Sequence, residues 1–281
     1  MKLGKKTQER LYLAFCYTII LIGVIAVLYP TVWIVGSALN PNNSLFSSRI
    51  IPEGASLDNF RELLTHDEYP YLRWYWNTLK IASLNAIFSV VLTAGCAYAF
   101  SKFKFWGRKY GMITFLVIQM FPALMALVAI YVVLNMLGLL NTHTGLLLVY
   151  VGGAVPFSTW LLKGYFDTIP NSLSESALID GASSFRIFWS IMLPLAKPML
   201  AVVAMFQFVN PFNDFILANI ILTSPSQRTL AVGLFNMVSN QFANDWTLFS
   251  AGAVLAGIPM MILFLSLQKY FVHGLSGAVK G

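Results

Sequence analysis

Few side chains in this sequence are able to do chemistry. Its 281 residues include 3 histidines, 2 cysteines and 11 acidic residues. His66, His143 and His273 are too scattered to build a metal cluster. Gly4-Lys5-Lys6-Thr7 has the letters of a phosphate-binding loop but not its G-x-x-x-x-G-K-[ST] spacing, and neither H-E-x-x-H nor G-x-S-x-G occurs. Cys16 and Cys96 lie in strongly apolar runs and read as small packing residues. No catalytic residue, metal site or cofactor site emerges, and the chain is expected to catalyse nothing by itself. Two places remain. The first is Asp214, the only acid well inside an apolar run, flanked by Asn210 and Asn213. A carboxylate in that setting faces a polar pathway or a packing partner; here the packing alternative is a kink at Pro211.

The second place is the segment from Pro170 to Pro194, within a polar loop spanning 170–198. It reads as a short helix, a break, a second helix and a stop. Asn171 or Ser172 can cap the first helix, placing Glu175 in its first turn, where the helix dipole favours a carboxylate. Gly181 permits a left-handed or closely packed backbone at the break, and Asp180 beside it is counted with the loop's candidate site residues. Leu178, Ala182, Phe185, Trp189 and Met192 recur at spacings of four, three, four and three, which predicts one apolar stripe. Pro194 and Pro198 end the segment. Periodicity alone leaves two readings open. The stripe belongs either to an interfacial helix beneath a bundle or to a knob that docks in a groove on a soluble partner.

The elements that must hold these groups are helices in a membrane. Hydrophobic residues make up 58% of the chain and charged residues 10%, against roughly 25% charged in a soluble domain. Mean hydropathy is +0.71. That composition excludes a disordered chain, a disulfide scaffold and a nucleic-acid-binding domain. The net charge of +7 reflects basic loops and not a nucleic-acid partner. A span needs roughly 20 apolar residues. Runs free of charge predict six transmembrane helices near 11–37, 77–101, 111–137, 145–166, 199–222 and 247–268, in one all-α domain over 1–281. The third and fourth are separated by the polar turn from Gly138 to Gly145. The first is too long for a signal peptide and reads as an uncleaved anchor.

Orientation follows from the loops. Thirteen of the 18 basic residues fall in the N-terminus, the loop at 102–109, the positions Lys163, Arg186 and Lys197, and the tail. The opposite loops hold Arg49, Arg61, Arg73 and Arg228 against six acids. The positive-inside rule therefore places both termini and the 170–198 loop in the cytoplasm. Tyr69, Tyr71, Trp74, Tyr75 and Trp76 form an aromatic anchor where the long outer segment re-enters the bilayer.

Glu175, Ser176, Ala177, Gly181, Ile191, Leu193 and Pro194 keep every spacing of an E-A-A-x3-G-x9-I-x-L-P pattern, with Ser176 replacing the second alanine's predecessor. The segment resembles the cytoplasmic loop of permease subunits in binding-protein-dependent ABC importers. Gln119-Met-Phe-Pro122, Gly164-Tyr-Phe-Asp167 and the tail Gly274–Gly281 extend the resemblance to the second permease of maltose and maltodextrin importers. It implies a multi-pass protein of a prokaryotic cell membrane that forms half of a sugar pathway. Its partners would be a second permease, two ATPase subunits and an extracytoplasmic sugar-binding protein. ATP and Mg would be bound by the ATPase alone. The 170–198 loop would be a coupling helix between the fourth and fifth spans. Glu175 would face a basic residue of the ATPase, and Gly181 would allow the turn. The tail would lie near the ATPase dimer, and the segment 223–246 would reach towards the binding protein. Asn210, Asn213 and Asp214 would offer acceptors to sugar hydroxyls.

Rival readings want features the sequence lacks. A proton- or sodium-driven transporter would carry repeats and several intramembrane ionisable groups; only Asp214 qualifies. A permease for amino acids, peptides or phosphate shares the loop but not the tail or Gly164-Tyr-Phe-Asp167. Maltodextrin is the expected cargo, with galacto-oligosaccharide or raffinose-type sugars as the alternative.

Overall fold

A computed structural model describes residues 5–42, 49–239 and 244–278, and among them every regular element is helical. The helices are α1 (Lys5–Ala38), α2 (Asp58–Thr65), α3 (Tyr71–Lys102), α4 (Arg108–Met120), α5 (Leu127–Met136) and α6 (His143–Thr168). They continue as α7 (Asn171–Ile179), α8 (Ser184–Ile187), α9 (Leu193–Leu195), α10 (Lys197–Asn213), α11 (Ile216–Ile221), α12 (Leu230–Met237) and α13 (Trp246–Ala278). Four of them, α1, α3, α6 and α13, are long and apolar enough to cross a bilayer, and two bent pairs raise the number to 6. At 1.5 Å per residue the 32 residues of α3 reach about 48 Å, well beyond the roughly 30 Å hydrocarbon core.

Two of the six expected spans are not single rods. The third is interrupted after Met120: Phe121 and Pro122 are extended, a 3₁₀ turn follows at Ala123–Ala126, and α4 and α5 meet at 86°. Pro122 has no amide hydrogen to continue the helix and forces its predecessor out of the helical region. The fifth ends at Asn213, leaves helical geometry at Asp214 (ψ 113°) and resumes as α11. Its other end meets the segment Ser184–Leu195 at 79°. The first, second, fourth and last spans correspond to the expected ones, each extended by one to about ten residues at its ends.

The chain divides into two compact units. One comprises residues 1–69 and 234–255. Within it the buried Asn59 donates to the carbonyls of Ala38 (2.9 Å) and Asn40 (2.7 Å), fastening α2 to the end of α1. Tyr69 donates to Asp245 at 2.6 Å; burial, with this carboxylate beside it, pushes the phenol up to about 12.

The second unit, residues 70–233 and 256–281, holds the groups of interest. Its frame is α3 packed on α6 and α10. On α3 a stripe of small and polar residues is buried at helical spacing: Thr78, Ala82, Asn85, Ser89, Thr93, Ala97 and Ser101. Small residues let membrane helices approach closely, and polar ones bond across the gap. Asn85 donates to the Gln207 carbonyl at 2.7 Å, and the Gln207 side chain donates to Ser158 at 3.3 Å, so one polar relay links α3, α10 and α6.

Candidate functional site: a knob at one end and a broken span at the other

The segment 170–198 is fastened under α3 and α6. Ile187, Met192 and Ala196 are buried in one cluster with Ala94, Ala97 and Tyr98 of α3 and Leu162, Phe166 and Ile169 from α6 and its end. Ala177, Ala182, Ile191 and Leu193 pack against that cluster. Polar contacts reinforce the seat. The Tyr98 hydroxyl donates to the Ser184 carbonyl at 3.2 Å. Lys102 donates to the carbonyl of Ile169 and the side chain of Asn171, each at 2.9 Å. Ser101 donates to Asp167 at 2.7 Å, and Lys163 pairs with the same carboxylate.

The break has a definite geometry. Gly181 is left-handed (φ +80°); its amide donates to Leu178 and the Ala182 amide donates to Ala177 at 2.9 Å. Those two bonds close a Schellman motif, and both Ala177 and Ala182 pack on the buried cluster. Ser183 then caps α8, its hydroxyl accepting from the Arg186 amide. On either side of the turn Ile179 and Phe185 are 87% and 72% exposed, with Leu178 and Trp189 also exposed. Phe185 and Trp189 meet edge to face at 6.0 Å. Glu175, Ser176, Asp180, Gly181 and Pro194 are exposed as well. The loop therefore combines a buried foot and an apolar, solvent-facing crown.

Three local expectations are corrected here. Neither Asn171 nor Ser172 caps α7: Pro170 occupies the cap, and Asn171 accepts from Lys102 instead. Glu175 consequently lies past the first turn, which holds no acid. The five-residue stripe does not share a face, because the left-handed turn at Gly181 resets the helix phase. Leu178, Phe185 and Trp189 are exposed while Met192 is fully buried. Nor does Pro194 stop the helix: a π turn at Phe188–Met192 precedes it, Pro194 lies inside α9, and the break falls at Ala196. A π turn is one way for a helix to accommodate a local disruption.

At the far end of the unit, Asp214 bridges the interruption in the fifth span. Its carboxylate accepts from the Tyr150 hydroxyl at 2.6 Å and from the amides of Leu217 (3.2 Å) and Ala218 (3.0 Å). One carboxylate thus starts α11 and ties it to α6. Asn210 and Asp214 are half-buried, and Asn213 is exposed. Asn213 donates to Val209, and Asn210 contributes its carbonyl to the Asp214 amide. Non-helical backbone in a membrane is tolerated where it is covered by protein or lines a wet cavity. Sequence reasoning did not single out Tyr150, Asn85, Gln207 or Ser158; the stripe of polar residues at three- and four-residue spacing in α3 was the available signal.

Beyond α11 the chain is clamped by side chains that bond its backbone. Asn141 (φ +57°) accepts from the amides of Thr223 and Ser224 and donates to the Ser224 hydroxyl at 2.6 Å. Asn77 donates to the carbonyls of Ser226 and Arg228, Trp74 to that of Pro225, and Thr78 accepts from the Leu230 amide at 2.7 Å.

Residues 89–277 match the model of a family described as the binding-protein-dependent transport system inner membrane component. The chain belongs to this family. As a transport-system component it is a multi-pass protein of a prokaryotic membrane, and the resemblance seen in the 175–194 pattern is confirmed. It is 45% identical over 278 residues to the galactooligosaccharides transport system permease protein GanQ of Bacillus subtilis (strain 168), covering 98% of each chain. It is 44% identical over 258 residues to the maltodextrin transport system permease protein MdxG of the same organism, covering 92% of each. Its fold is shared with a bacterial ABC transporter involved in the import of the acidic polysaccharide alginate. That match has a TM-score of 0.80 at 23% identity, over 96% of this chain and 99% of that one. Of the matching segments, Gln119–Pro122 is the bend between α4 and α5, and Gly164–Asp167 lies on α6, where Asp167 joins the seat of the loop. In the tail, residues 279–281 lie outside the described residues, as do 240–243 of the segment 223–246.

Proposed function

We propose that this chain is one of two permease subunits in an ATP-driven importer of neutral oligosaccharides. Both its termini and its 170–198 loop would lie in the cytoplasm. The observation that carries this reading is the two-sided loop: a foot packed against α3 and α6, and an exposed apolar crown flanking a hydrogen-bonded left-handed turn. An exposed apolar patch suits docking on a partner or a membrane, and the exposed acids Glu175 and Asp180 beside it favour a protein partner over an anionic bilayer. A helix pair held by packing moves with whatever grips it, which is what coupling to an ATPase requires. Glu175, Asp180 and Phe185 would meet the ATPase subunit, which would hold the ATP and Mg. Gly181 would set the angle, while Ile191, Leu193 and Pro194 would anchor the lever. ATP-driven closure of two ATPase subunits would rock the permease pair open to the outside, where a liganded binding protein delivers its sugar.

Names of the relatives support both cargoes expected from the sequence, maltodextrin and galacto-oligosaccharide. The interruption at Asp214, with Asn210, Asn213 and Tyr150 around it, is the part of the fifth span suited to line the pathway, since discontinuous helices gather at transport sites. The test is ATP hydrolysis by the complete transporter in proteoliposomes, titrated with binding protein and a panel of oligosaccharides. Stimulation by maltodextrins or by galacto-oligosaccharides identifies the cargo. Failure of every sugar to stimulate overturns the reading.

A further inference from the structure

The loop between α3 and α4 borders a cavity that the proposed transport function leaves unused. Residues 105–110, Met112, Ile113 and Lys163 of α6 surround an open cavity of about 570 Å³. Its lining includes Trp106, Arg108, Lys109, Tyr110, Ile113 and Lys163. That volume is within the roughly 300–1,000 Å³ range of small-molecule sites and is more than a bare inorganic anion needs. Three cations converge on it. Lys163 is paired with Asp167, which leaves an excess of positive charge from Arg108 and Lys109. Arg108 is half-buried and spends a single guanidinium bond on the Ser101 carbonyl, at 3.0 Å. No side chain caps the first turn of α4, so its positive end adds to the same field.

The aromatic residues say what kind of anion fits. Trp106 is 97% exposed and Tyr110 70% exposed, and Ile113 lies one turn further along α4 with 46% exposure. The cavity sits where α3 ends, at Lys102, and where α4 re-enters the apolar zone. Tryptophan and tyrosine prefer the headgroup level of a bilayer, and basic pockets between spans hold anionic headgroups. Cations at the mouth with an apolar ramp running into the bilayer match an amphiphile. We propose that this cavity binds one anionic phospholipid, its phosphate on Arg108 and Lys109, with Trp106 and Tyr110 flanking the glycerol and Ile113 meeting the acyl chain. The inference rests only on the bundle spanning a bilayer, and is independent of its cargo and orientation.

The test is lipid counting on the full-length chain, purified with the subunits that accompany it and stripped of lipid. Phosphatidylglycerol or phosphatidylcholine is titrated back and bound molecules are counted by native mass spectrometry. The expected result is one phosphatidylglycerol held at about tenfold lower lipid concentration by the wild type than by the double variant Trp106→Ala/Lys109→Gln. Both of those residues are exposed, so the variant should fold. Arg61→Gln, which also removes an exposed cation but from α2, should bind as the wild type does. Equal retention by wild type and double variant overturns the proposal. So does equal retention of phosphatidylcholine. Displacement of the lipid by millimolar inorganic phosphate also overturns it, because the site would then be a free-anion site.

Discussion

The two ends of the second unit secure their connecting segments with different balances of packing and hydrogen bonding. The segment 170–198 is held through buried apolar side chains, with Ile187, Met192 and Ala196 set among Tyr98, Leu162 and Phe166. The segment 222–230 is held through polar side chains of α3 and of the turn before α6, each bonding backbone: Asn77, Thr78, Trp74 and Asn141. An apolar seat is non-directional and tolerates small rotations as a rigid body. A set of directed hydrogen bonds fixes one backbone path and leaves polar groups stranded if that path changes. If the 170–198 loop couples to an ATPase as proposed, the first end would transmit movement and the second would keep a shape. Each can be disturbed separately, and the disturbances should differ in kind.

The largest effect is expected at the Gly181 turn in the first of these ends. Gly181→Val forces a β-branched residue into a left-handed conformation at a cost of about 1–3 kcal/mol. Nothing crowds that position, so the cost lies in the backbone and is relieved by re-aiming the crown. Sugar uptake in proteoliposomes should fall about tenfold or more, with the amount of protein in the membrane unchanged. Normal uptake would remove the turn from the mechanism. At the shape-keeping end the matching change is Gly233→Ala. An added Cβ there runs into the buried ring of Trp74, which cannot swing away while its indole donates to Pro225. Overpacking of that kind costs typically 1–3 kcal/mol. The melting temperature should drop by several degrees, read by a thiol-independent thermal shift, while the coupling ratio of sugar moved to ATP hydrolysed is retained.

Much of this division was written in the sequence, and the remainder was not for physical reasons. Charge-free runs located the spans because a bilayer demands uninterrupted apolar length, and α1, α3, α6 and α13 follow them closely. Pro122 was visible, but whether a proline merely kinks a span or interrupts it depends on neighbours that replace the lost bonds. At Asp214 the carboxylate supplies those replacements with Leu217, Ala218 and Tyr150, and the distant Tyr150 carries no local signal. In the loop, Glu175 to Pro194 were legible as a pattern, and Gly181 as its turn. The stripe from Leu178 to Met192 misled because a left-handed residue breaks the constant angular step on which periodic reading depends. The clamp of Asn141 on Thr223 and Ser224 joins positions some 80 residues apart and could not be read from spacing.

That clamp gives a prediction of intermediate size. Asn141→Ala deletes an acceptor shared by two amides and a donor to Ser224, and leaves alanine at φ +57°. Thr223 is exposed and Ser224 half-buried, so water replaces part of the lost bonding and the cost should be about 1 kcal/mol. Asn141→Gly relieves the backbone strain but not the lost bonds. If the side chain matters through its bonds, both variants should lower the melting temperature alike. If glycine recovers wild-type stability, the residue is there for its conformation and the clamp is incidental.

The smallest expected effect tests the apolar seat itself. Tyr98→Phe removes one hydroxyl, whose bond to the Ser184 carbonyl is 3.2 Å long, and keeps the ring against Phe166 and Phe188. If packing carries the loop, the change should cost about 1 kcal/mol or less, because one net hydrogen bond is worth only that much. Tyr98→Ala, by contrast, empties a ring-sized space among Ala97, Phe166 and Phe188 and should cost about 3–5 kcal/mol. Uptake should be near normal for phenylalanine and reduced severalfold for alanine. A phenylalanine variant that couples as poorly as the alanine one would mean that the loop is held by a directed bond. The two ends of the unit would then work by the same principle.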